Sequence, residues 1–208
     1  MGGAPKANFI ADHVVLDLLN TVVTVDGRLV DTLEGDEHVL EWLRRAGFSE
    51  TIGRSHAFAA GTIVGAAREL REIIRDAVVR RKSGMQIDLR SLNGVLAKTP
   101  SYLCLAAQQD GIRLRRVWKG QTADRLFGPL AEAAAELLVN GDFSLIRKCE
   151  SDSCVLWFYD RTKSHHRRWC SVSTCGNRAK VAAFRRRQAE AKKTRIRGNH
   201  RRAGRPGR

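Results

Sequence analysis

Apolar side chains recur along this chain mostly at helical spacing, and the departures are local. The run VVLDLLNTVV (residues 14–23) is apolar except for Asp17, Asn20 and Thr21, whose i, i+3, i+4 offsets share one helical face; its β-branched content keeps a strand open. Val39, Leu40, Trp42 and Leu43 predict a helix over 37–46, with Asp36 at the N-cap and Gly47 just past the end. Ile63, Ala67, Leu70, Ile74 and Val78 predict a long helix over 55–82, weakened near Gly61 and Gly65. Asp88 is placed to cap a shorter one over 89–98, which stops ahead of Pro100. The period then shortens: residues 102–109 and 112–118 flank Asp110-Gly111, a dipeptide favoured in type I′ turns, so a hairpin with half-buried strands is predicted. A last amphipathic helix falls in 124–139, with Gly128-Pro129 marking its true start and Asn140-Gly141 its end.

Charge changes this picture. The 208 residues are 43% hydrophobic, enough for a packed core, and carry a formal +15. Residues 1–146 hold 18 basic and 18 acidic side chains, whereas the last 62 hold 19 basic and 4 acidic. All of the excess therefore lies at one end, as in a polyanion-binding appendage on a neutral body. Beyond residue 189 the composition collapses to AEAKKTRIRGNHRRAGRPGR, read as a solvated basic tail. The N-terminus lacks a charged-then-apolar secretory pattern, and residues 14–25 are too short and too polar to span a bilayer. A cytoplasmic location with no membrane partner is expected, and in that reducing compartment clustered cysteines need a purpose other than disulfides.

Four of the five cysteines, Cys149, Cys154, Cys170 and Cys175, form C-x4-C-x15-C-x4-C. Two matched pairs joined by a loop supply the four soft ligands of one tetrahedral Zn²⁺. A closed four-thiolate shell leaves no position for water or substrate, so the expected metal is structural. His165 and His166 lie between the pairs but are surplus to the tetrahedron, and Cys104 reads as a small buried hydrophobe. VLWFY (residues 155–159) suits a strand of a small hairpin over the metal, with Trp157 and Trp169 in the core above it. Residues 177–191 are helix-prone, and Ser173 or Thr174 would cap that helix with Cys175 in its first turn. Knuckle, hairpin and helix follow one another in treble-clef-like order. The expected fold class is α+β: a mainly helical N-terminal domain with a β-hairpin over 1–143, a small treble-clef-like zinc finger over 144–191, and a basic disordered tail over 192–208.

The run CGNRAKVAAFRRR (residues 175–187), preceded by DRTKSHHRRWC (160–170), resembles the CGNR zinc-finger family. LDLLNTV (16–22) and EWLRRAG (41–47) resemble the ABATE domain that usually precedes this finger, with Leu18-Leu19 where an aromatic–valine pair is more usual. The resemblance implies a bacterial, stress-linked transcription regulator that binds DNA.

On the residues themselves, Arg167 and Arg168 precede a ligand, while Arg178, Lys180, Arg185, Arg186 and Arg187 follow one on the predicted helix. Arg178, Arg185 and Lys192 recur at seven-residue steps, which keeps one helical face basic. These residues are the expected contacts to nucleic acid, with double-stranded DNA the leading partner and RNA or a ribosome the alternative. Six to ten neutralised phosphates would give a salt slope of about −5 to −9. Arg178 has a second reading as a brace to Asp160 or Asp152, and Asn177 as a cap on a loop carbonyl. Asp17, Asn20 and Thr21 are read as a buried hydrogen-bond network, with a small-molecule site as the lesser reading. The N-terminal domain would then sense a ligand or form a homodimer. No phosphate-loop, dinucleotide, zinc-protease, nucleophile-elbow or deaminase signature is present, so the chain is read as a binding protein and not an enzyme.

Overall fold

The structure is a computed structural model and describes residues 9–52, 58–119 and 122–203. At its centre lies α1 (Val14–Leu19), whose Val15, Leu16, Leu18 and Leu19 are buried, with His13 accepting from the Val15 N–H as N-cap. The apolar run does not continue as helix. Val22 to Val25 form β1, paired antiparallel with β2 (Arg28–Asp31). Asp26 and Gly27 connect them with φ of 48° and 78°, as a type I′ turn requires. Both readings of this run therefore hold, each for half of it, and β-branched Val22, Val23 and Val25 decide the second half.

Helix α2 (Asp36–Arg45) begins with Gly35 at the N-cap position. Asp36 is not its cap: the carboxylate reaches across to accept from the Gly61 and Val64 N–H groups, each at 2.8 Å. It thereby satisfies free donors at the start of α4 (Thr62–Lys82), reached after the short α3 (Ser49–Ile52). The long helix thus starts later than the sequence predicts. Residues 58–61 are not helical, and 53–57 lie outside the described residues. Helix α5 (Leu89–Lys98) has the predicted Asp88 cap, which accepts from the Arg90 N–H at 3.0 Å.

Strands β3 (Ser101–Gln108) and β4 (Gly111–Trp118) make the expected hairpin with a different turn. Its central residues are Gln109 and Asp110, neither of which has a positive φ, so it is not type I′. Nor are the strands half-buried, since 11 of their 16 positions are exposed and none is buried, and Cys104 is only partly covered. A 3-10 turn (Ala123–Phe127) precedes α6 (Gly128–Asn140), with Pro129 in the first helical turn.

Helix α1 packs against α4, α6 and β6 (Trp157–Tyr159), the partner of β5 (Ile146–Lys148). Leu16, Leu19, Leu43, Leu70, Ile74, Phe127 and Leu130 fill the centre, each fully enclosed. Removing side chains of this kind from water contributes about 1.5–3 kcal/mol apiece. One ion pair runs through this interior. Arg71 donates to both Asp31 carboxylate oxygens at 2.8 and 2.7 Å and to Thr21 Oγ1 at 2.8 Å, tying β2 and the end of α1 to α4. Burial pushes the Asp31 carboxyl up, but the Arg71 bond, the Leu33 N–H and the charges of Arg71 and Arg68 together outweigh it and hold it below the ordinary carboxylate range.

The last helix, α7 (Asn177–Ala203), follows a π-helical turn at Val172–Gly176. It continues past residue 191 as far as Ala203, into the segment over 192–208 that composition alone assigns to a disordered tail. The reason is local: the run from Ala189 to Arg197 has no glycine or proline and is mostly Ala, Lys, Arg and Glu.

Candidate metal centre and finger helix

The four expected ligands converge. The Sγ atoms of Cys149, Cys154, Cys170 and Cys175 all lie within 4.8 Å of one another. Cys154 and Cys170 are 3.7 Å apart, and Cys170 and Cys175 are 3.5 Å apart. A disulfide would need about 2 Å, whereas zinc–sulfur bonds of about 2.3 Å in a tetrahedron put sulfurs about 3.8 Å apart. The donor set fits zinc. Without a cation the cluster cannot ionise evenly: hydrogen bonding from Cys170 pulls the Cys154 thiol down to about 5. The same hydrogen bond, with burial and the Cys154 charge, pushes Cys170 up, and burial followed by that charge pushes Cys175 up. A divalent ion is what lets four thiolates share so small a space.

Each ligand has a local reason for its place. Cys149 follows β5 and donates its N–H to the Leu156 carbonyl, closing the loop that carries Cys154. Cys175 sits in the π turn, where the Gly176 N–H reaches back to Ser171 O at 3.0 Å. The position ahead of this turn is Ser171, so neither Ser173 nor Thr174 is the cap. Space at Gly176 is tight, since a Cβ there would lie 3.2 Å from Trp169 Cδ1 and the indole would have to give by a few tenths of an ångström. Asn177 Nδ2 donates to Ser173 O at 3.1 Å, pinning the turn to α7. His165 and His166 bond to the Asp160 and Ser164 carbonyls and are not among the clustered ligands.

The two tryptophans separate. Period-2 alternation in β6 turns Phe158 toward the cysteines and Trp157 the other way, into the core of the N-terminal domain. Trp169 remains with the metal cluster, beside Ile10 and Leu156. The expectation that both tryptophans lie over the metal thus fails for Trp157.

Asp17, Asn20 and Thr21 are buried, and all three make hydrogen bonds. Asn20 donates to Trp157 O and accepts from Trp157 N, both at 2.8 Å, so its amide meets β6 as a neighbouring strand would. Asp17 Oδ1 accepts from the Ile10 and Ala11 N–H groups at 3.0 Å each, yet burial raises its carboxyl to about 6. Thr21 Oγ1 donates to Leu18 O and accepts from Arg71. The cluster thus joins the finger and the N-terminal strap to α1.

Arg167 is a correction of another kind. It is 16% exposed and its guanidinium is used up: Nε donates to Trp169 O, while the terminal nitrogens reach Asp12 at 2.5 Å and the Ile10 and Cys170 carbonyls at 2.7 Å. It also lies 4.4 Å over the Phe158 ring. It staples the finger to residues 10–12 and is not a free phosphate ligand. Asp160, fully buried, takes the bracing role considered for Arg178, accepting from Thr162 and from the Arg167 N–H at 2.8 Å. An Asp two residues ahead of Thr162 is the sequence signal for that turn. Arg178 is exposed and forms no ion pair with Asp160 or Asp152 among the described residues.

Arg168 pairs with Glu150 at 2.6 Å but stays 62% exposed. Lys180, Arg185, Arg186 and Arg187 are exposed along α7, which touches little besides the π turn that launches it. No helix among the described residues is long and apolar enough to cross a membrane.

A finger with four clustered cysteines, locked into a helical body and with a basic helix leaving it, defines a zinc-finger protein of two joined parts. The chain belongs to the ABATE family, described as "Putative stress-induced transcription regulator", whose pattern matches residues 12–141, and a CGNR zinc finger matches 146–188. Among curated proteins no match was found.

Proposed function

We propose that the protein is a zinc-dependent transcription regulator that grips double-stranded DNA through α7. Cys149, Cys154, Cys170 and Cys175 would hold one structural Zn²⁺, which supplies the positive charge that keeps four thiolates together. With the tetrahedron closed by protein sulfur, the chain acts by binding and not by catalysis, and it works in the cytoplasm. Arg178, Lys180, Arg185, Arg186 and Arg187 would take phosphate oxygens, with Arg168 at the finger's edge. The observation that carries this reading is that these cations are exposed on a helix held out from an internally neutralised body. The N-terminal domain would serve sensing or dimerisation.

The test is a mobility assay of the zinc-loaded chain on duplex DNA across a salt series. Five phosphate contacts set a slope of about −4 to −5 in log affinity against log salt. A flat response would overturn the reading. Preference for structured RNA in competition would instead move the protein to the RNA-binding alternative.

A further inference from the structure

We propose that the open face of the β3–β4 hairpin is a docking surface for a second copy of this chain. This rests on reading the N-terminal domain as the dimerisation part, and it locates that function. In the antiparallel register Leu105 lies opposite Leu114, with Leu103 opposite Arg116 and Ala107 opposite Ile112. Directly opposed residues share a face, so Leu103, Leu105, Ala107, Ile112 and Leu114 form one apolar stripe toward the hairpin tip. The large ones face solvent: Leu103 is 55% exposed, Leu105 73%, Ile112 77% and Leu114 61%. At the base of the same face Trp118 fits tightly against Gly128 of α6, which fixes the arm's direction.

The opposite face is already dressed. Arg113 and Arg115 both reach Glu50 of α3, and Cys104 and Ala106 are partly covered there. On the stripe's own face, toward its base, Arg116 pairs with Glu132 at 3.4 Å. The three arginines of the arm thus share two carboxylates within the chain, Glu50 and Glu132, and residues 1–146 balance 18 basic with 18 acidic side chains. A polyanion gains little from this surface, whereas the same stripe of a second copy, uncharged toward its tip, meets little repulsion there. The sheet has only two strands, and a two-stranded hairpin with both faces wet is marginal in water.

The area also favours a self-pairing. The four aliphatic side chains leave on the order of 500 Å² open per copy, so a two-fold contact would remove on the order of 1,000 Å², the threshold of a specific interface. Because the stripe is apolar from Leu103 to Ile112, it complements itself under a two-fold axis.

Sedimentation and light scattering of the full zinc-loaded chain at micromolar concentration test the proposal. The expected mass is twice that of the chain. Leu105→Glu with Leu114→Glu should return it to a single chain, with zinc content and far-ultraviolet circular dichroism unchanged because both positions are exposed, and with the thermal midpoint losing its dependence on protein concentration. Leu29→Glu, at a 67% exposed position on β2, should leave the dimer intact. A wild-type chain that stays monomeric overturns the proposal, as does a dimer that survives the double substitution. Monomers that bind neutral phosphatidylcholine vesicles would assign the stripe to lipid and overturn it equally. The DNA reading fails separately: a monomeric double variant that keeps its salt-dependent duplex binding leaves that reading standing, and a dimer that ignores DNA refutes only that reading.

Discussion

In the body, Arg68, Arg71, Arg75, Arg80, Arg113 and Arg116 each meet a carboxylate within 3.4 Å. On α7, Arg178, Arg185, Arg186 and Arg187 stand in solvent. The same side chain is therefore used in two ways, and the contrast lies in its neighbours. Most pairs in the body are exposed and add little stability, but they cancel the field around it. On α7 almost no acidic residue is at hand, so the field survives and points outward.

Removing the metal should break this contrast most severely. Chelation, or Cys170→Ser, is expected to unfold the finger, because apparent zinc energies of about 10–16 kcal/mol exceed what so small a module gathers by burial. Trp157 belongs to the body's core, so the melting transition of the whole chain should also drop, with DNA binding lost. Calorimetry checks this, and an unshifted body transition would show the two parts to be independent.

Next in size, replacing Arg185, Arg186 and Arg187 together by Ala should weaken duplex binding and reduce the salt slope by about 3, while the melting temperature stays put. The converse substitution, Arg71→Ala, should cost about 1–3 kcal/mol in denaturant unfolding, since Asp31 and Thr21 lose their Arg71 bonds while Asp31 keeps Arg68, and leave the salt slope unchanged. If both variants moved both readouts, the division between structural and partner-facing arginines would fall.

The last effect, which vanishes in acid, concerns Asp17. Its folded pKa of about 6 lies above the unfolded value of about 3.9, so between these pH values the folded chain binds the proton more tightly. Stability from this group therefore declines as pH rises through 4 to 6 and is lowest above. Asp17→Asn should gain stability relative to the wild type at pH 8, by up to about 3 kcal/mol, and lose that advantage by pH 4. Paired unfolding curves at the two pH values give the difference directly, and a pH-independent difference would contradict it.

What could be read in the sequence follows how local each cause is. The ligand set was legible because metal chemistry demands particular residues at short spacing. Helices α5 and α6 were legible from periodicity and caps within a few residues. Asp26-Gly27 was an equally clear turn signal, but reading Val22 and Val23 as more helix hid the β1–β2 hairpin. Arg167 was illegible: within HHRRW nothing distinguishes it from Arg168, and its deciding partners Ile10 and Asp12 are far away in the chain. The exposure of β3 and β4 was equally hidden, because alternation shows that two faces differ and not whether anything covers either.

The amide of Asn20 has a consequence for how such proteins can be recombined. Two sequence families meet across that side chain, so the finger is not a cassette to be cut at the linker and grafted elsewhere. A functional chimera would have to carry residues 9–12, α1 and Asn20 along with the cysteines, or supply another edge for β6 to lean on.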